Sequence, residues 1–94
     1  MPSKQPLPSS EVLELAKRAA GLRQLRYRRH AHLRMAQRNV SDVDVELAVL
    51  SCTRATWRAK EENWKLSGGR DFDGDDLSLG IAVDGATVWI CTVF

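Results

Sequence analysis

The apolar positions of this chain change period once. Up to about residue 51 they recur at helical spacing; after Cys52 they alternate. Val12, Leu15, Ala16 and Ala19 predict an amphipathic helix over about residues 10–20, with Ser9 or Ser10 as cap, Glu11 in the first turn and Gly21 as stop. Leu22–Arg29 alternates loosely and reads as a connector or a short strand. A second helix is predicted from about His30 to Arg38, with Ala31 and Met35 as its apolar stripe and Asn39 as a left-handed stop. The third has the clearest start signal. Ser41 caps it, Asp44 stands at the third helical position as the acid of a capping box, and Val40 and Val45 are placed for a hydrophobic staple. Val43, Leu47 and Leu50 are its expected buried stripe.

Thr53–Lys60 is rich in strand formers, and Asn63–Arg70 is its expected hairpin partner across Glu61-Glu62. Leu77, Leu79, Ile81 and Val83 alternate with small or polar residues, Asp84-Gly85 signals a tight turn, and Thr87–Phe94 is apolar on both faces, as in a covered central strand. The predicted architecture is α+β: two to three N-terminal helices packed on one face of a four-stranded antiparallel sheet. Residues 1–8 hold all three prolines and read as a flexible tail, leaving residues 9–94 as one domain.

Charge sharpens this picture. Residues 1–40 carry nine Lys/Arg and two acids, and residues 41–94 five Lys/Arg and ten acids, so a net charge of +2 conceals a basic half and an acidic half. Either the molecule offers one anion-seeking surface or its halves pair on folding. No apolar run reaches the roughly 20 residues needed to span a bilayer, and the first residues lack the apolar core of a signal peptide. A cytoplasmic protein with no membrane partner is therefore expected, with Cys52 and Cys91 as buried free thiols.

The candidate chemistry centres on residues 27–38, which hold His30, His32, Arg28, Arg29, Arg34 and Arg38. No Asp or Glu lies between Leu15 and Ser41. On a helix, His30, Arg34 and Arg38 fall at i, i+4 and i+8, one stripe of one face. An imidazole flanked by fixed cations suits a phosphodiester, with Arg34 and the flanking Arg28 as phosphate contacts. The bland alternative is that His30 caps the helix or bonds the sheet. Elsewhere, Asp71–Asp76 invites a calcium site but fails on spacing: glycine stands at loop position four and alanine at twelve, where an EF-hand needs glycine at six and an acid at twelve. No metal or cofactor is expected. Gly68-Gly69 reads as a bulge or bend. Of the three tryptophans, Trp89 is expected in the core, and Trp57 and Trp64 face each other across a hairpin.

The run His30-Ala31-x-x-Arg34-Met35-x-x-Arg38-x-Val40-Ser41, with the later Ile90-Cys-Thr92-Val93-Phe94, resembles a family of small bacterial domains with an H-A-x-x-R-M-x-x-R helix signature and an I-x-T-V-[YF] closing strand. The resemblance covers residues 27–94. That family is similar in size and element order to RelE/ParE-like toxins, which include ribonucleases and gyrase poisons. The resemblance implies a RelE-like fold and a site of His30, Arg34, Arg38 and Thr92, with Arg70 as a further basic member. It implies a fold and a class of partners more than an activity; the leading expectation is a toxin acting on RNA as a metal-independent ribonuclease, with a cognate antitoxin or immunity partner. The rivals are a non-catalytic module that binds protein or nucleic acid, and a structural motif in which His30 and Arg38 hold the helix to the sheet through buried hydrogen bonds. The acidic second half argues against a ribosome-cleft partner.

Overall fold

The computed structural model describes residues 7–94, so the predicted tail lies outside the described residues except for Leu7 and Pro8. Three helices, α1 (Ser9–Gly21), α2 (Arg29–Arg38) and α3 (Asp42–Ser51), precede the strands β2 (Arg54–Arg58), β3 (Asn63–Ser67), β4 (Leu79–Asp84) and β5 (Thr87–Val93). A two-residue strand, β1 (Arg26–Tyr27), lies between α1 and α2. The α+β class is as predicted, but the sheet is five-stranded and mixed, in the order β1-β5-β4-β3-β2, rather than four-stranded and antiparallel. The fifth strand, β1, runs parallel to β5, and the Arg28 amide continues the ladder by donating to the Ile90 carbonyl at 2.9 Å. Two residues are too few to show an alternation.

The helix ends follow local chemistry. Asn39 closes α2 in the left-handed region at φ 56°, ψ 46°. Ser41 and Asp44 form the reciprocal capping box of α3. For α1, Ser9 and Ser10 lie inside the helix and Pro8 takes the cap position without a side-chain bond, contrary to expectation. The buried stripe of α3 also differs: Val45, Ala48 and Val49 point inward, while Val43 and Leu50 are about two-fifths exposed. Because acidic and apolar residues are both spread around α3, its spacing does not select one face.

Val12, Ala16, Ala19 and Ala20 of α1, Ala31 and Met35 of α2, and the inward residues of α3 join Leu66, Leu79, Ile81, Val88, Ile90 and Val93 of the sheet in one core. α1 crosses the sheet from β2 to β5, α3 packs on α1, and α2 lies along β5. Strand pairing is antiparallel from β2 to β5, with Trp57 opposite Trp64, their rings edge to face at 5.3 Å, as the sequence predicts. β3 stops at Ser67, short of the predicted Arg70, because Gly68 takes a positive φ of 84°. An added Cβ at Gly69 would lie 2.1 Å from the Ala48 carbonyl oxygen, so this turn packs backbone to backbone on α3. The two-residue turn between β4 and β5 is Gly85-Ala86, with Gly85 at φ 63°, one residue later than the Asp84-Gly85 signal suggests.

One irregularity shapes the outer face of the sheet. Gly80 pairs with Thr92 and Ile81 with Ile90, so Cys91 is the extra residue of a bulge. The bulge resets the alternation, so that Ile90 and Val93 both face the core while Trp89 and Thr92 both face away from it. This overturns the core expectation for Trp89, since Val88 and Ile90 take the inward positions.

Candidate functional site

On the face of the sheet turned away from the core, Arg54, Thr56 and Arg58 of β2 stand beside Asn63, Lys65 and Ser67 of β3. Gly80 and Ala82 of β4 and Trp89 and Thr92 of β5 complete that face. Where α2 meets β5, a groove of about 480 Å³ opens over it. His30 and Arg34 of α2 form one wall, Arg58 and Asn63 the opposite wall, and Cys91, Thr92 and Phe94 complete the lining.

Each wall has a local cause. Ala31 and Met35 anchor α2 in the core, which turns the neighbouring stripe of His30 and Arg34 toward the groove. Arg58 and Asn63 are register partners at the end of the β2–β3 hairpin and therefore project together. Gly80 lets three side chains close over it: a Cβ there would lie 2.9 Å from Thr92 Cγ2, 3.7 Å from Phe94 Cε2 and 3.8 Å from Asn63 Nδ2.

The groove is cationic. The Arg58 guanidinium and Lys65 ammonium sit 5.0 and 5.1 Å from the Phe94 ring centre, and Arg28 and Arg26 sit 4.8 and 6.0 Å from that of Trp89. Arg58 Nε lies 3.4 Å from Glu61 Oε1, but the two are not aligned as a hydrogen bond. Asn63 Oδ1 is enclosed and has no protein partner among the described residues. Thr92 Oγ1 donates to the Val93 carbonyl at 3.3 Å, and Arg34 Nη1 to Gln37 Oε1 at 3.4 Å. Burial pushes the Cys91 thiol up, and the nearby Arg28 guanidinium only partly opposes it. Cys91 is therefore a neutral wall of the groove near pH 7, not an activated nucleophile.

The predicted site residues divide. His30, Arg34 and Thr92 converge on the groove. Arg28 adjoins it, stacked on Trp89 and close to Cys91. Arg38 does not line it: eight residues beyond His30, it lies about 12 Å further along α2, on an exposed last turn. Arg70 is also elsewhere, held to the acidic loop by a bond to the Gly74 carbonyl at 2.9 Å and an ion pair with Asp76 at 3.5 Å. His30 and Arg38 are both exposed, which contradicts the reading that buried bonds from them fix α2 to the sheet. The cap position of α2 belongs to Arg28, so His30 does not cap the helix either. His32 points away and stacks on Tyr27 at 5.4 Å. The Tyr27 hydroxyl is enclosed and pushed up to about 12, by burial first and then by Glu46 and Asp42.

Arg58, Asn63, Phe94 and Lys65 are additions that spacing does not reveal. They come from strands distant in sequence from His30, and only the sheet register brings them together. The acidic loop 71–76 is tied internally through Asp71, whose Oδ1 accepts from the amides of Asp73 and Asp75 at 2.9 Å. Among the described residues, no group of three His, Cys, Asp or Glu is placed to hold a metal ion. No helix of the described residues is long and apolar enough to cross a membrane.

Comparison with curated proteins and with solved structures returns no match. Residues 27–94, from β1 to the end of the sheet, match the family described as "Domain of unknown function (DUF4258)"; α1 precedes the matched segment. The groove lies wholly within that segment, and the chain belongs to the DUF4258 family.

Proposed function

We propose that the groove binds an RNA phosphodiester and cleaves it without a metal. The observation that supports this is the convergence of one imidazole, His30, with Arg34, Arg58 and the Thr92 hydroxyl on a single open cleft. In this reaction the 2′-hydroxyl attacks the adjacent phosphorus, His30 takes its proton, and the bond to the 5′-oxygen breaks. That oxygen takes a proton from solvent, and the products are a 2′,3′-cyclic phosphate and a 5′-hydroxyl. Arg34 and Arg58 hold the phosphate and stabilise the charge that builds on its oxygens, and Thr92 orients it. Arg38 and Arg70 have no part in this mechanism, since neither reaches the groove.

The order of helices before a β-meander supports the RelE-like reading of the fold, and with it a toxin whose antitoxin or immunity partner masks the groove. The test is incubation of purified protein with labelled RNA in the presence of a chelator, beside His30→Ala. Cleavage by the parent and its loss in the folded variant support the reaction. Equal activity in both, or none in either, removes it.

A further inference from the structure

We propose that the RNA strand does not end in the groove but continues along β5 to a second phosphate subsite, where Arg26 holds a phosphate at the mouth of a cavity beside Thr87. The inference rests on the proposed RNA cleavage and deepens it: the substrate is a strand of about four nucleotides or more, rather than a dinucleotide.

The second cavity, of about 500 Å³, opens between the end of α1, β1 and the β4–β5 turn, and Arg23, Gln24, Arg26 and Thr87 are among its lining residues. A line of contacts joins it to the groove. Arg26 lines the cavity and lies 6.0 Å from the Trp89 ring centre. Arg28 lies 4.8 Å from the same centre and reaches Cys91, which lines the groove. Strand register causes this arrangement. Arg26 is the partner of Trp89 in the parallel β1–β5 pair, and the Arg28 amide bonds the Ile90 carbonyl. Residues two apart on an extended chain share a face, so both arginines leave β1 on the side of Trp89. Across β5, the partner of Trp89 on β4 is Ala82, whose side chain is too short to cover the indole.

Charge gives this line its chemistry. Arg26 and Arg28 are both exposed, and no acid among the described residues forms an ion pair with either. One guanidinium on an indole is ordinary packing, but two on the same ring repel each other. A phosphate between them relieves that repulsion, and the N–H edges of the two guanidinium groups are the donors it takes. The track ends at the second cavity, because acids compensate its far side: Arg23 pairs with Glu46 at 3.3 Å, and Asp84 stands opposite Thr87. From Thr92 in the groove to Thr87 in the cavity is five positions along β5 with one bulge residue between them, roughly 13–16 Å. At about 3.4 Å per nucleotide of a stacked strand, that span takes about four steps.

The experiment uses fluorescently labelled 2′-O-methyl RNA, which lacks the attacking hydroxyl and so separates binding from cleavage. Anisotropy titrations compare strands of about three and about six nucleotides, the first too short to reach Arg26 from the groove, at several salt concentrations. The short strand meets only the cations of the groove. The longer one adds Arg26, so its slope of log K against log salt should be steeper by about 0.7. Its affinity should also be higher, and Arg26→Gln should cut that gain at least about threefold and return the slope to that of the short strand. Arg54→Gln removes the same charge from the same face of the sheet, three strands away from β5, and should leave both gain and slope as in the parent. The slope comparison within the parent carries the test should Arg26→Gln fail to fold. A slope that does not steepen with length, or equal losses in folded Arg26→Gln and Arg54→Gln, would overturn the proposal. A length effect that runs through Arg26 together with no cleavage of unmodified RNA would remove the ribonuclease reading and leave the subsite standing; cleavage with no length effect would do the reverse.

Discussion

Salt dependence offers a quantitative test of the groove's electrostatics. Arg28, Arg34, Arg58 and Lys65 line or border it, and Arg58 is partly compensated by Glu61 at 3.4 Å. That leaves about three to four cations to displace counterions from a bound strand. With about 0.7 ion released per phosphate contact on single strands, the slope of log K against log salt should be roughly −2 to −3. Raising potassium chloride from about 50 to about 200 mM, a fourfold change, should then weaken binding by about 15- to 50-fold. Arg34→Ala removes one contact, so its slope should be shallower by about 0.7, and its deficit against the parent should shrink by about 2.5-fold across that range. Arg38→Ala carries the same change in formal charge on the same helix but lies outside the groove, so the slope should stay as in the parent. The assay is anisotropy titration of an uncleavable oligonucleotide at four salt concentrations. Equal loss of slope in the two variants would show that the helix attracts RNA only as a diffuse charge, and the localised groove would be refuted.

Other consequences of the structure can be measured directly. Gly80→Val would push aside Thr92, Phe94 and Asn63, which pack over Gly80 and line the groove, and oligonucleotide binding should fall at least about tenfold, with a stability loss of about 1–3 kcal/mol by chemical denaturation. Asp44 accepts from the amide and hydroxyl of Ser41, both at 3.0 Å, and from the Phe72 amide at 2.9 Å, so Asp44→Ala should cost about 2 kcal/mol and leave RNA binding intact. The same bonds hold the Asp44 carboxyl below its ordinary range, the backbone bond from Ser41 foremost. Its contribution is present above the unfolded-state value and is lost as pH falls through the lower folded value; thermal melts of parent and Asp44→Ala should therefore converge in acid. Arg70→Ala should alter only the acidic loop, leaving cleavage unchanged in the RNA assay.

Much of the helical half is legible in the chain because its signals are local. The Ser41–Asp44 box, the Asn39 stop and the inward Ala31 and Met35 each depend on residues within one turn. His30 and Arg34 follow from the same spacing, since anchoring one stripe of α2 aims the next. Arg38 does not, because a stripe says nothing of where the surface it faces ends. Two residues of β1 are too short to leave a pattern, and a one-residue bulge at Cys91 reverses the alternation that should have buried Trp89. Arg58, Asn63 and Phe94 are hidden for a different reason: pairing and sheet curvature bring them to His30 across long stretches of chain, and only register carries that information. The charge asymmetry resolves in part as well. Arg23 of the basic half pairs with Glu46 of the acidic half at 3.3 Å, while the cations around the groove remain gathered on the outer face of the sheet.

The proposed activation of a ribose hydroxyl by His30 would be written in the chemistry of the cut. A labelled RNA carrying a single 2′-deoxy residue at a mapped cleavage position is incubated with the protein and its products are analysed by mass spectrometry. The expected products are 2′,3′-cyclic phosphate ends at unmodified positions, with no cut at the deoxy residue and loss of all cuts in His30→Ala. Cleavage at the deoxy position, or cyclic phosphate ends formed equally by folded His30→Ala, would rule out His30 as the base.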